Sequence, residues 1–221
     1  MRLWESASHI FPYSLEQVVA VFWDRYPNSK AQHILSEDVI ERKIDGNQIR
    51  TKKLIVKKGA TFLKAAPRWM TRLTSIQVMP TLEESIYDRA TRTLTTYTRN
   101  ISCTSLFNMH ERCVYKPVIF EAENQRDQQW TIQPRTNLER AVWVDVNYGR
   151  IDALIERVLV MSFRKSVKRT VIGLTEKLEE RFGLPLITQQ VRTAMVNLGS
   201  QKATLMKEKI FANKKIGFEK A

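Results

Sequence analysis

ILSEDVIERKIDGNQIRTKKLIV, residues 34–56, decides the fold class: two β-rich runs flank Asp45-Gly46-Asn47. Asp-Gly between such runs is a strong local hairpin signal, because glycine supplies the positive φ that a two-residue turn needs. The spacing predicts strands over Ile34 to Ile44 and Gln48 to Val56.

Upstream, Leu3 to Phe11 reads as one strand and Ser14 to Tyr26 as an amphipathic helix ended by Pro27 and Asn28. Leu15, Val18, Val19 and Phe22 recur at the spacing of a core-facing stripe, and the next step along it gives Arg25. A guanidinium beside a buried stripe has two outlets. It holds an anionic group, for which its planar fork suits a phosphate, or it snorkels to water.

Downstream, residues 57–74 hold Gly59, Pro67 and Trp69 without strand alternation. They read as a loop with a short helix after Pro67, either a membrane-touching lid or a loop folded on the core. Strands are expected over Ser75 to Tyr87, Thr91 to Cys103, Leu106 to Pro117 and Gln128 to Val146. Pro134 is expected to bend or break the last, and the polar run Phe120 to Gln129 to be an exposed turn. A long helix then runs to about Phe182, with Gly183 and Pro185 as its stop. Leu186 to Ala221 is basic, either a second, membrane-lying helix or a frayed tail.

The order strand, helix, antiparallel meander, long helix is an α+β plan: a curved antiparallel sheet made a half-open container by the helix. Within that helix, Ile151, Leu154, Ile155 and Val158 form an apolar stripe that leads on to Ser162, Lys165 and Arg169. Phe163, Val167, Val171, Leu174 and Leu178 are expected on nearly the opposite face. This is either a pocket wall, greasy at one end and cationic at the other, or a helix that changes its packing face near Ser162.

The 221 residues carry a formal charge of +13, which calls for a polyanionic partner: nucleic acid, an anionic bilayer or an acidic protein. No zinc-finger spacing, aromatic RNP run or short recognition helix accompanies the charge, so no nucleic acid is expected, and a basic nucleic-acid-binding protein stands as the alternative on charge alone. No run of eighteen apolar residues spans a membrane. The start MRLWESASHIFPYS lacks a long apolar stretch and carries Glu5, so neither a signal nor a transit peptide is expected. No catalytic residues, metal or cofactor are expected: His9, His33 and His110 are scattered, and Glu83-Glu84 and Glu179-Glu180 read as solvated faces. Cys103 and Cys113 are expected on paired strands turning near Ser105, opposite Asn108 and Thr98 and too far apart to bond.

Several stretches together resemble the PRELI family of mitochondrial lipid-transfer proteins over roughly residues 1–175. They are HIFP (9–12), FWDRYPN (22–28), HILSED (33–38), PRW (67–69), TYTRN (96–100) and ERCVY (111–115). The resemblance implies a START-like fold: a curved antiparallel sheet of about seven strands, closed by the long helix around a hydrophobic lipid cavity. The division implied is a lipid-transfer domain over 1–175 and a basic extension over 176–221. It implies non-enzymatic carriage of an anionic phospholipid between the mitochondrial membranes from the intermembrane space. Phosphatidic acid is the usual cargo, phosphatidylserine that of a sister branch. A small twin C-x9-C protein is the implied heterodimer partner, and an anionic membrane the transient one.

The family's head-group arginine falls on Arg25, and a family lysine on Lys57 or Lys58. The family's basic helix patch falls around Lys168 and Arg169 with Lys165 nearby, Ser166 replacing an asparagine common there. Phe62, Leu63, Trp69 and Met70 would line a lid over the cavity. Val118 to Arg140 has no good match to the family.

Overall fold

A computed structural model describes residues 2–58, 77–123, 130–147 and 152–185, with backbone alone at 119–123, 130–133 and 154. The chain divides into two compact units, Met1–Phe182 and Gly183–Ala221, and every described strand and helix belongs to the first. The expected lid residues Phe62, Leu63, Trp69 and Met70, the tail from Leu186 and Ile151 lie outside the described residues.

Eight strands form one antiparallel sheet: β1 (Arg2–Glu5), β2 (His9–Phe11), β3 (Ile34–Asp45), β4 (Gln48–Lys58), β5 (Val78–Asp88), β6 (Thr93–Asn100), β7 (Phe107–Glu123) and β8 (Trp130–Val146). Their order is β1-β8-β7-β6-β5-β4-β3, with β2 also on β8. Among the described residues two helices join them, α1 (Leu15–Phe22) and α2 (Asp152–Phe182). An antiparallel sheet of eight strands with a long C-terminal helix is the architecture the resemblance implies, with one strand more than expected. The eighth strand arises because the first expected strand is two, β1 and β2, which meet β8 at Ala141 and Leu138 respectively.

The hairpin forms as its sequence dictates: Asp45 pairs with Gln48 and Gly46 takes φ +53°. Ser14 caps α1 reciprocally with Gln17, satisfying two otherwise orphaned backbone donors. The helix stops at Phe22 instead of Tyr26, because the next turn serves another purpose: the Arg25 Nη1 donates to the Phe22 carbonyl (2.8 Å). α2 stops where expected, at Gly183 with φ +74°, and runs through the boundary expected at residue 175.

Three local expectations are corrected. β7 continues to Glu123, so the first four residues of the expected exposed turn, 120–123, are strand, and 124–129 lie outside the described residues. Pro134 does not break β8 but pairs with Ile119 in unbroken register. There β2 reaches only Thr136, so Pro134 sits beyond the three-stranded part of the sheet, where a missing N–H is tolerated. The connection after β6 is longer than a tight turn. Cys103 lies in it at φ +59°, and Cys113 pairs with Thr96. Both thiols are free, as expected.

Two apolar clusters cover the concave face. One joins Phe11, Leu15, Phe22, Leu94, Tyr115 and Leu138 to Leu174 and Leu178 near the end of α2. The other joins Phe107, Val142 and Val144 to Ile155, Leu159 and Phe163 near its start. Phe163, Leu174 and Leu178 thus face the sheet, as Ile155 does, which corrects the opposite-face expectation. The buried seam steps by helical intervals through Ile155, Leu159 and Phe163, turns polar at Ser166 and Thr170, and resumes at Leu174. Among the described residues no helix is long and apolar enough to cross a membrane.

A cationic cavity over a buried polar belt

Between the two clusters the concave face is polar. One cross-strand row reads Lys53, Glu83, Thr98, Glu111 across β4 to β7. Its neighbour reads Thr51, Ser85, Thr96, Cys113, Arg140 across β4 to β8. A sheet face beneath a helix is normally apolar, since each buried polar group needs a partner. Glu83, Thr96, Thr98, Glu111, Cys113 and Arg140 of this belt line a cavity of about 550 Å³. Phe22, Ile55, Met79, Leu159, Phe163 and Leu174 supply apolar wall.

Arg25 reaches the belt from the turn after α1 and is 5% exposed, which excludes the snorkelling outlet. Its Nη2 donates to Glu83 Oε2 at 2.5 Å, and Nη1 lies 3.9 Å from Glu37 Oε1. Burial alone would lower the guanidinium pKa, but Glu83, Tyr26 and Glu37 outweigh it and hold the pKa well above the ordinary value. Lys53, 2% exposed, donates to Glu37 (2.9 Å) and to the Trp23 carbonyl (2.5 Å). Arg140 Nε lies 3.2 Å from Glu111 Oε1. Asn28 Nδ2 donates to the Arg25 carbonyl (2.8 Å) and Asn28 Oδ1 accepts from the Lys30 amide (3.0 Å). α2 crosses this turn at Gly173, where a Cβ would fall 2.6 Å from Asn28 Oδ1.

The other expected head-group residues distribute as follows. β4 alternation puts Lys57 on the concave side with Ile55 and Lys53, and points Lys58 outward, exposed at the rim. Both line the cavity, as do Lys165 and Arg169, exposed on the α2 edge. Lys168 is exposed and is not among the lining residues. Burial depresses the Lys57 pKa and nearby Arg25 adds to this, while Glu111 and Glu83 oppose it. His33, at the start of β3, also lines the cavity. Burial, then Lys57 and Arg169, lower its pKa and favour the neutral imidazole.

Sequence reasoning missed Lys53, Glu83, Glu111, Arg140 and His33 as parts of this site. Glu83-Glu84 was expected to be solvated, yet only Glu84 is at the surface, paired with Lys52 (3.2 Å), while Glu83 is 5% exposed. The available signal was strand period: Met79, Thr81, Glu83, Ser85 and Tyr87 share one face of β5. Glu179-Glu180 lies at the partly exposed end of α2, as expected. Among the described residues, eight lysines and arginines and two glutamates line the cavity. Such an enclosure attracts an anion with an apolar body.

A family model described as the PRELI-like family matches residues 16–183. The chain belongs to the PRELI-like family. Among relatives, human "PRELI domain-containing protein 1, mitochondrial" is 32% identical over 163 residues, 72% of this chain and 68% of that protein. "Protein UPS1, mitochondrial" of Saccharomyces cerevisiae is 36% identical over 120 residues, 52% of this chain and 65% of that one. Both names assign those proteins to the mitochondrion. The fold of the PRELI-like domain extends to distant solved structures. TTHA0849 from Thermus thermophilus aligns at TM-score 0.52 with 13% identity, covering 82% of this chain and 99% of that one. The Zhui aromatase/cyclase from Streptomyces sp. R1128 aligns at 0.51 with 10% identity, covering 81% and 94%. At those identities the likeness is one of fold alone.

Proposed function

We propose that this PRELI-like protein is a non-enzymatic carrier of an anionic phospholipid, phosphatidic acid, between the outer and inner mitochondrial membranes. It works in the intermembrane space, with a small twin C-x9-C protein as heterodimer partner. The observation that carries the reading is the cavity lining: among the described residues, eight cationic side chains against two carboxylates, with apolar wall from α1, the sheet and α2. Each methylene removed from water gains about 0.8 kcal/mol, so a lipid outside a bilayer needs such apolar shelter. The head group is then chosen by charge and volume: Arg25, Lys57, Lys165 and Arg169 neutralise a phosphate, and bulky heads are refused. Phe62, Leu63, Trp69 and Met70 form the lid in this reading, and Lys58 and Lys168 contribute charge outside the cavity floor.

One observation favours a second cargo. Glu83 Oε1 is buried and accepts no hydrogen bond among the described residues. A serine ammonium beside the phosphate would supply the missing donor, which favours phosphatidylserine.

Liposome transfer by an Arg25→Gln/Glu83→Gln double variant tests the reading, because it removes the cation without stranding its partner. Phosphatidic acid transfer is expected to fall at least tenfold in a protein with unchanged circular dichroism. Undiminished transfer would remove Arg25 from head-group binding.

A further inference from the structure

Nineteen residues of α2, Arg157 to Thr175, contain five lysines and arginines and no acid. At about 100° per residue, Arg157, Met161, Arg164, Lys168 and Ile172 fall within one arc of about 80°, opposite the buried seam. All five are exposed, Met161 at 55% and Ile172 at 47%. Among the described residues, none of Arg157, Arg164, Lys165, Lys168 and Arg169 forms a salt bridge, and Arg164 is held along the surface by stacking over Trp4 (5.3 Å). The acids of α2 lie elsewhere: Glu156 is buried beside Arg2 (3.9 Å), and Glu176 engages Ser29 and Lys30 past the stripe's end.

We propose that this outer stripe of α2 is a docking face for an anionic bilayer. It deepens the carrier reading and rests on it for the choice of a membrane over other polyanions. Unpaired cations gain from an anionic surface, and Met161 and Ile172 are two apolar pegs about 16 Å apart along the axis. A nucleic-acid backbone rewards the cations but not the pegs. Going round the helix, the stripe passes through Lys165 and Arg169 directly into the cavity wall. Docking on this face therefore brings Lys165 and Arg169, which line the cavity, toward the lipid head groups.

The test is flotation of the full chain with vesicles of 70% phosphatidylcholine and 30% phosphatidylglycerol, against pure phosphatidylcholine. Wild type is expected to bind only the anionic vesicles. Arg157→Glu/Met161→Ser/Arg164→Glu is expected to bind them at least about 30-fold more weakly, and Glu179→Gln/Glu180→Gln within twofold of wild type. Equal binding by the triple variant with native circular dichroism would overturn the proposal. So would displacement from the vesicles by duplex DNA at equal phosphate concentration. If the triple variant does not fold, Met161→Cys in a Cys103→Ser background, carrying an environment-sensitive dye, decides: a blue shift on anionic vesicles supports docking, and unchanged emission overturns it. Occupancy by detergent-dispersed phosphatidic acid, read by native mass spectrometry, separates the two readings. A wild type that floats with vesicles yet takes up no lipid fails the carrier reading alone.

Discussion

Arg25 and Glu83 are joined by a buried ion pair, Nη2 to Oε2 at 2.5 Å, across 58 residues of sequence. The pair ties the turn after α1 to the middle of the sheet and forms part of the cavity wall. Both side chains are about nineteen-twentieths buried, so neither can lose its partner cheaply. Arg25→Gln alone strands Glu83 and is expected to cost about 3–5 kcal/mol. Adding Glu83→Gln should return part of that loss. Urea denaturation of both singles and the double would show a positive coupling; additive losses would mean that the pair does not interact in solution.

His33 gives the ligand-free protein a pH dependence with a definite sign. Its folded pKa lies below the ordinary 6.5, through burial and then Lys57 and Arg169. The unfolded chain therefore binds the proton more readily, and stability falls as pH drops through 6.5 toward the folded pKa. An anion in the cavity offsets Lys57 and Arg169 and raises that pKa, so binding takes up a proton. Calorimetry in buffers of different ionisation enthalpy should show greater proton uptake near pH 6.5 in wild type than in His33→Gln. Equal uptake would place His33 outside the ligand's field.

Gly173 permits α2 to approach the Arg25 turn. A Cβ there meets Asn28 Oδ1 at 2.6 Å and Cγ at 2.9 Å. Asn28 cannot yield without breaking its bonds to the Arg25 carbonyl and the Lys30 amide. Gly173→Ala, although it raises helix propensity, is expected to destabilise by about 1–3 kcal/mol. Thermal unfolding checks it; a variant as stable as wild type would show that the turn is slack.

The two cysteines should differ in reactivity. Cys113 is buried, and its thiol pKa is pushed up to about 12 by burial and then by Glu111. Cys103 is only partly buried, in the connection after β6. A chromogenic disulfide reagent at pH 8 should titrate one thiol rapidly in the native protein and two after denaturation. Two rapid native thiols would mean that the belt around Cys113 opens to solvent.

The fold was legible where local chemistry settles it: the Asp45-Gly46 turn, the start of α1 at Ser14 and the Gly183 stop are each fixed within a few residues. Arg25 could also be singled out, because it breaks an apolar period. What it pairs with could not, since Glu83 and Glu37 reach it only through strand registry. α1 ran long on paper because residues 23–26 suit a helix; the Arg25 ion pair overrides that preference. The α2 faces were misassigned because its seam turns polar at Ser166 and Thr170, over the cavity. A search for apolar continuity misreads a helix at the place where the helix covers a hollow.

The account depends on the hollow between the polar belt and α2 taking up an anionic lipid. Native mass spectrometry after incubation with vesicles of equal phosphatidic acid, phosphatidylserine, phosphatidylcholine and phosphatidylethanolamine tests this directly. A one-to-one adduct dominated by phosphatidic acid is the predicted result. A protein that emerges without lipid, or with the four lipids in their vesicle proportions, would contradict it.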